Sequence, residues 1–436
     1  MLFALIGLAI LLIIVVTVFL NWHPAWALLL ACALVGWGSG QELTGLMATI
    51  GQGFGSLLGK IGLVIILGAI LGVILEKTGG AVTLADALIS ALGKRFPALT
   101  MACVGAIVSI PVFCDSGFII LSRLNKRLSD RAKIAPASLY LSLAAGLYLT
   151  HNLVPPTPGP VTAAANLGVE GSLGTIMLLG LVVSVPILIV AWLWSRSQGE
   201  GIQLKEQAEI SDLEEINTPA LWRVLPSLLV PIVLLALGSI WKGNPIWQLL
   251  GQAPIALLIG VLFGFILLAW PQRQQWTTWT TTGIQLAGPI LVITGLGGSF
   301  GAILVASEVE AVIKEIFTSS TASPLVLLVS AFFMAAVLKT AQGSSTSALV
   351  VGSAVLAPLV VSLGFDQPIE LAILVATLGS GAMAVSHAND SYFWVVSQFS
   401  GLELRDAYRS YSLMTLFMGL TGLVACLIAW LLLAGA

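Results

Sequence analysis

Four short stretches place polar and ionisable side chains inside otherwise apolar runs. Ile110–Phe118 reads IPVFCDSGF and carries Asp115 and Ser116 between two helix breakers, Pro111 and Gly117. Thr150–Pro160 reads THNLVPPTPGP and carries His151, Asn152 and Thr157. Four prolines there make a continuous helix impossible. Lys339–Ser347 reads KTAQGSSTS, with Lys339, Gln342, Gly343, Ser344, Ser345 and Thr346. Ser386–Ser391 reads SHANDS, with His387, Asn389 and Asp390. Broken helices expose free N–H groups and positive dipole ends that hold anions, and free carbonyls that hold cations or hydroxyls. Such a set suits a small hydroxylated carboxylate. Asp115 and Asp390 are the groups able to take up a proton, and His151 and His387 titrate near neutrality.

The rest of the chain says where these stretches must sit. Of 436 residues 58% are apolar and only 9% charged, which excludes a water-soluble globule. A net charge of -2 leaves no basic surplus to neutralise nucleic-acid phosphates. Apolar runs near the ~20 residues that cross a bilayer recur from end to end, so the expected fold is an all-α polytopic membrane protein. Cys32, Cys103, Cys114 and Cys426 lie in apolar runs without metal-ligand spacing, and no cofactor motif accompanies them. The first twenty residues have no basic leader or cleavage site and read as a retained helix. Irregular backbone inside a membrane is tolerated only where protein buries it or a wet cavity adjoins it. Four breaks therefore imply one central polar site.

The polar stretch Ser195–Arg223 separates two halves, giving a first repeat over 1–195, a linker over 196–221 and a second repeat over 222–436. At an offset of 229, Leu67–Leu75 matches Leu296–Leu304 at five of nine positions. The same offset sets Cys114-Asp115-Ser116-Gly117 beside Gly343-Ser344-Ser345-Thr346. Expected spans are Leu2–Leu20, Trp22–Trp37, Ile61–Leu75, Leu99–Ile110, Phe118–Leu124, Ile134–Thr150 and Leu173–Trp194 in the first half. The second half gives Val224–Ile240, Ala253–Trp270, Pro289–Val305, Leu325–Thr340, Ser347–Leu363, Ile369–Ser386 and Ser410–Leu433. Each half reads as five crossings plus one re-entrant hairpin. Gly38–Gly59 and Pro271–Gly288 read as interfacial arm helices, with Trp276 and Trp279 in a headgroup belt.

Cytoplasmic loops carry excess Lys and Arg. A hairpin over Leu99–Leu124 puts Lys94 and Arg95 on the same side as Arg123, Lys126, Arg127, Arg131 and Lys133. Five crossings, an odd number, invert the second half. Fourteen basic residues then fall inside and Lys60, Lys242 and Lys314 outside, with both termini outside.

Bland roles stand beside the chemical ones. Lys339 either binds a substrate carboxylate or neutralises an aspartate, and the histidines are proton relays or hydrogen-bonding struts. Ser344, Ser345 and Thr346 are ligands or helix-packing residues.

IPVFCDSGF, HNLVPPTPGP, AQGSSTSA (Ala341–Ala348) and SHANDSYFW (Ser386–Trp394) resemble the signature stretches of the gluconate:proton symporter family, across nearly the whole chain. Members of that family carry gluconate, related sugar acids or D-serine. The resemblance implies two inverted repeats, paired re-entrant hairpins and unwound helices around a midplane site in the inner membrane, and often a homodimer; the basic-residue bias makes the outside termini periplasmic. It also implies an anionic substrate with H+ as the partners, and places Asp115, Ser116, His151, Asn152, Thr157, Gln342, Gly343, Ser344, Thr346, His387, Asn389 and Asp390 on motif positions. Two departures stand out: Ser307–Glu310 where a Gly-containing turn is expected, and Tyr392 where a glycine usually follows the Asp-Ser pair. Sodium-coupled carboxylate transport uses similar chemistry. An intramembrane hydrolase would need a nucleophile elbow or HExxH, and a channel a ring of like charges; neither pattern occurs.

Overall fold

The computed structural model describes residues 2–18, 20, 22–92, 96–132, 134–205, 218–241, 243–307, 324–357, 360, 365–388 and 390–434. Among these residues the chain is all helix and turn. Six helices are long and apolar enough to span a bilayer. On α9 (Leu173–Gly199) the large apolar residues Leu178, Val182, Val185, Ile189 and Leu193 are all exposed. Spaced by three and four residues, they form a stripe that faces hydrocarbon in a membrane and would be untenable in water.

The first half runs α1 (Leu2–Val18), α2 (Pro24–Gly38), α3 (Leu43–Lys77), α4 (Gly80–Leu92), α5 (Pro97–Val108), α6 (Cys114–Ala132), α7 (Pro136–Leu153), α8 (Pro158–Asn166) and α9. The second runs α10 (Leu221–Ile240), α11 (Pro245–Leu250), α12 (Ala253–Phe263), α13 (Trp276–Ala306), α14 (Pro324–Gln342), α15 (Ser345–Leu356), α16 (Pro368–Met383), α17 (Ser391–Ser400) and α18 (Leu413–Leu433). Shifted by 229 residues, α2, α3, α5, α6, α7 and α8 fall on α12 to α17 in order. Packing is reciprocal as well. Helix α2 lies on α13 and α12 on α3; α8 lies on α15 and α17 on α6; α5 pairs with α7 as α14 pairs with α16.

Four expectations change. Gly38–Gly59 and Pro271–Gly288 do not form separate arm helices, because α3 and α13 are continuous for 35 and 31 residues. At 1.5 Å per residue α3 is about 52 Å long, well beyond a hydrocarbon core of about 30 Å. What holds its glycine-rich first half helical is the crossing with α13. A Cβ at Gly53 would lie 2.6 Å from the carbonyl of Gly298, and one at Gly298 2.7 Å from the carbonyl of Gly53. Glycines that weaken an isolated helix here allow close backbone approach. Ser299 fixes the contact by donating to the Ile50 carbonyl at 2.9 Å. Trp279 is buried against the protein and is no belt residue, whereas Trp270 is half exposed. Phe118–Leu124, expected as a short piece, belongs to the 19-residue α6. Helix α9 also runs four residues past Ser195, and the linker is pinned at Lys205, whose N–H donates to Gly401 and whose Nζ pairs with Glu403. Residues 206–217 of the linker and 308–323, which include Lys314, Glu308, Glu310 and Glu315, lie outside the described residues.

Candidate functional site

The four polar stretches each end one helix and begin another. Between α5 and α6, residues 109–113 leave the helix, and Asp115 sits in the first turn of α6. Its Oδ2 accepts from Cys114 Sγ at 3.7 Å; Oδ1 is buried and has no partner among the described residues. Ser116 beside it is half-buried.

Helix α7 stops at Leu153 because the prolines that follow remove N–H donors and disfavour α conformation before them. The chain passes through the cis Pro155–Pro156 bond, and α8 starts with Pro158 at its first position, where a missing N–H costs nothing. Thr157 donates to the Val154 carbonyl at 2.6 Å. Asn152 is fully buried; its Nδ2 donates to Tyr148 O at 2.8 Å and its Oδ1 is unpartnered. His151 is buried, lies 6.3 Å from the Phe113 ring, and has an unpartnered Nδ1.

Between α14 and α15 the turn is Gly343, at φ +68. L-residues rarely adopt that conformation, so glycine is required for the reversal. Ser344 caps α15 by accepting from Ser347 N at 3.2 Å. Ser345 is buried and Thr346 half-buried at the helix start. Both amide atoms of Gln342 are buried without partners.

The α16–α17 break is the most constrained. Val385 is held at φ 55, a strained conformation for a β-branched side chain. Ser386 N–H next to it is anchored by donating to Thr415 Oγ1 at 2.9 Å. Asp390 caps α17 through Tyr392 N at 3.1 Å, and its Oδ2 accepts from the Ser386 hydroxyl. That same oxygen lies 2.5 Å from Lys339 Nζ, with both side chains almost fully buried. Beyond that carboxylate Lys339 Nζ meets no acceptor among the described residues. His387, half-buried, donates from Nε2 to the Thr340 carbonyl at 3.2 Å and so ties this break to the previous one. Asn389 lies outside the described residues.

Lys339 therefore joins Asp390 as an ion pair. Asp115 and His151 lie within electrostatic reach of the pair. All four breaks thus converge. A narrow cavity of about 20 Å³ lies beside the cluster, lined by Gly68, Pro111, Phe113, His151, Pro156 and Thr157 among others. It has room for a water molecule.

The sequence reading missed the aromatic roof. Tyr148 lies over Lys339 Nζ at 5.9 Å from its ring centroid, a cation–π distance. Tyr392 stacks on Tyr148 at 5.3 Å and donates to the Ala144 carbonyl at 3.0 Å. Ser386 was also passed over, although it lies inside the SHANDS stretch. The signal for the tyrosines was their scarcity: of five in the chain, Tyr148, Tyr392 and Tyr411 meet here.

Comparison with known proteins gives the family and the fold. The chain is 29% identical to the inner membrane permease YgbN of Escherichia coli, over 98% of this chain and 97% of that protein. It is also 29% identical to a gluconate permease of Pseudomonas aeruginosa, over 94% and 93%. In fold it resembles the YdaH transporter of Alcanivorax borkumensis, with a TM-score of 0.67, 17% identity and 90% of each chain covered. Residues 1–432 match the GntP family permease description, and the chain belongs to that family of membrane permeases, as a transporter and not an enzyme.

Proposed function

We propose that this permease imports gluconate or a related sugar acid together with a proton across the inner membrane by alternating access. One observation carries the reading. Asp115 Oδ1, His151 Nδ1, Asn152 Oδ1, both ends of Gln342 and Lys339 Nζ are buried with unused hydrogen-bonding capacity, and Asp115 and His151 feel the charges of the Lys339–Asp390 pair. Buried polar groups in native proteins are nearly always satisfied, so a concentration of unsatisfied ones marks groups that await a ligand. A cation with several acceptors and donors matches a carboxylate bearing hydroxyls. The named relatives are consistent with that class, one being a gluconate permease and another an L-idonate transporter.

Coupling follows from charge. With Lys339 protonated and Asp390 ionised the pair is neutral. If a proton binds Asp390, Lys339 is released and takes the substrate carboxylate, and the loaded pair and substrate are again neutral. Either ligand alone leaves one net charge, which is costly in a membrane interior. Only the empty and doubly loaded states would then cross readily. The roughly 20 Å³ cavity is far too small for a six-carbon acid, so binding requires helices to part. The 229-residue correspondence and the reciprocal packing support two inverted repeats, over 1–195 and 222–436, joined by the linker at 196–221. In this reading α5–α6 and α14–α15 are re-entrant hairpins and both termini are periplasmic. Ser116, Thr157, Gly343, Ser344, Ser345, Thr346 and Asn389 contribute substrate contacts, with Asp115, His151 and His387 as further proton-handling groups.

The test is counterflow of radiolabelled gluconate in proteoliposomes, with D-serine and glucuronate as competitors, under a pH gradient with and without Na+. Gluconate accumulation driven by the inward proton gradient is the expected result. A Na+ requirement, or transport of D-serine in place of gluconate, would overturn the coupling ion or the substrate.

A further inference from the structure

A second polar region lies away from the central site. Lys60 projects from the middle of α3 and pairs with Glu170, on the turn between α8 and α9, at 2.8 Å. Two open crevices meet at Lys60. One of about 550 Å³ includes Glu170, Gln248 and Gln252 in its walls; the other, of about 420 Å³, includes Gln52, Ser56 and Asn166. Each is more than tenfold larger than the central cavity. The pair is half exposed, yet Glu170 Oε2 is buried and unpartnered, so the lysine has only one of the carboxylate oxygens.

Asn166, in the wall of the smaller crevice, belongs to a polar seam between α8 and its neighbours. Asn166 Nδ2 donates to Val350 O at 3.1 Å and Ser353 Oγ at 2.8 Å, and the Thr162 and Thr294 hydroxyls meet at 3.2 Å. Beyond that seam lies Thr157. Asn166 lies nine positions after Thr157, the residue that precedes α8, and Gly68, which lines the central cavity, lies eight positions after Lys60 on α3. At 1.5 Å per residue both paths measure about 12–14 Å. Helices α3 and α8 pack against each other, so both lead from the crevices towards the site.

We propose that the two crevices joined at Lys60 form an outer capture site for the anionic substrate, where Lys60 exchanges the Glu170 carboxylate for the substrate's before the α8 seam opens. The inference rests on the sugar-acid reading above and on Lys60 facing the periplasm. An internal carboxylate that occupies the lysine keeps the site neutral when empty and lets a solvated anion compete on equal chemical terms. Charge on the rim of a cleft also raises the local concentration of an oppositely charged solute.

Initial uptake rates of external substrate in intact cells test this, with wild type, Lys60→Gln, Lys60→Arg, Glu170→Gln and the charge swap Lys60→Glu/Glu170→Lys. Lys60→Gln should raise KM about fivefold, as expected for one half-exposed ion pair, with the effect on KM and not on kcat. Its KM should also lose its dependence on ionic strength, and Lys60→Arg should restore both. Glu170→Gln, which removes the competitor, should lower KM. A merely structural pair predicts the reverse pattern: both neutral variants lower kcat at unchanged KM, and the swap restores it. That result, or an unchanged KM in Lys60→Gln, overturns the inference. If wild type moves another organic anion, the same variants are measured with that anion and judged alike. If wild type moves none, the functional reading falls first and this inference with it.

Discussion

Replacing Lys339 by Met leaves Asp390 buried without its cation and with Asp115 in electrostatic reach, and the consequence can be sized. At an effective dielectric of about 20, unit charges 2.5 Å apart attract by about 7 kcal/mol, while burial costs each ion several kcal/mol. The intact pair therefore contributes little net stability relative to neutral residues, but breaking it costs about 3–5 kcal/mol. Lys339→Met should fall at the upper end of that range. Asp390→Asn should fall at the lower end, because Asn still caps α17 through Tyr392 N and Asp115 remains within reach of the lysine. The double variant should be more stable than either single one, with a coupling energy of at least about 3 kcal/mol. Equilibrium unfolding in detergent, followed by circular dichroism, measures all four corners of the cycle. Transport measured in parallel should stay lost in the folded double variant, which has neither the anion's partner nor the proton's acceptor. Additive destabilisation would refute the claim that the two charges exist to neutralise each other. Restored proton-driven transport in the double variant would refute their place in coupling.

Two further outcomes follow from neighbouring residues. Asp115→Asn keeps the side chain's shape and removes a charge that lacks a partner at Oδ1, so stability in detergent should change little. Gluconate accumulation driven by an imposed pH gradient should fall sharply while counterflow persists; unchanged uphill accumulation would remove Asp115 from proton handling. Gly343→Ala places a Cβ at φ +68 and should cost about 1–2 kcal/mol, read as a lower unfolding midpoint, with Gly343→Asn milder because Asn tolerates left-handed backbone. Equal stability of all three would show that the turn is not held in that conformation.

Much of the molecule is legible in one dimension because a bilayer penalises polar and unpaired groups so heavily. That penalty made Asp115, His151, Lys339 and Asp390 conspicuous inside apolar runs, and it fixed the helix ends at Pro155, Gly343 and the SHANDS stretch. The 229-residue correspondence of elements was legible as well: α2, α3 and α5–α8 recur at the spacing that the nine-residue match indicates. Other features depend on which surfaces meet. Glycines in the first half of α3 look like helix breakers in isolation and become helix-packing surface only when Gly298 arrives against Gly53. Tyr148 looks like an ordinary apolar-run residue, and Tyr392 merely like a departure from the motif, until the folding of α7 beside α17 stacks the two rings and lays Tyr148 over Lys339. The choice of Asp390 and not Asp115 as the lysine's partner was equally open, since both carboxylates carry the same charge and chemistry. Packing of α14 against the α16–α17 break decided it, by bringing Lys339 Nζ onto an oxygen already oriented by Ser386. Residue type sets which groups a membrane cannot leave alone; only the close-packed arrangement of helices sets which of them answer one another.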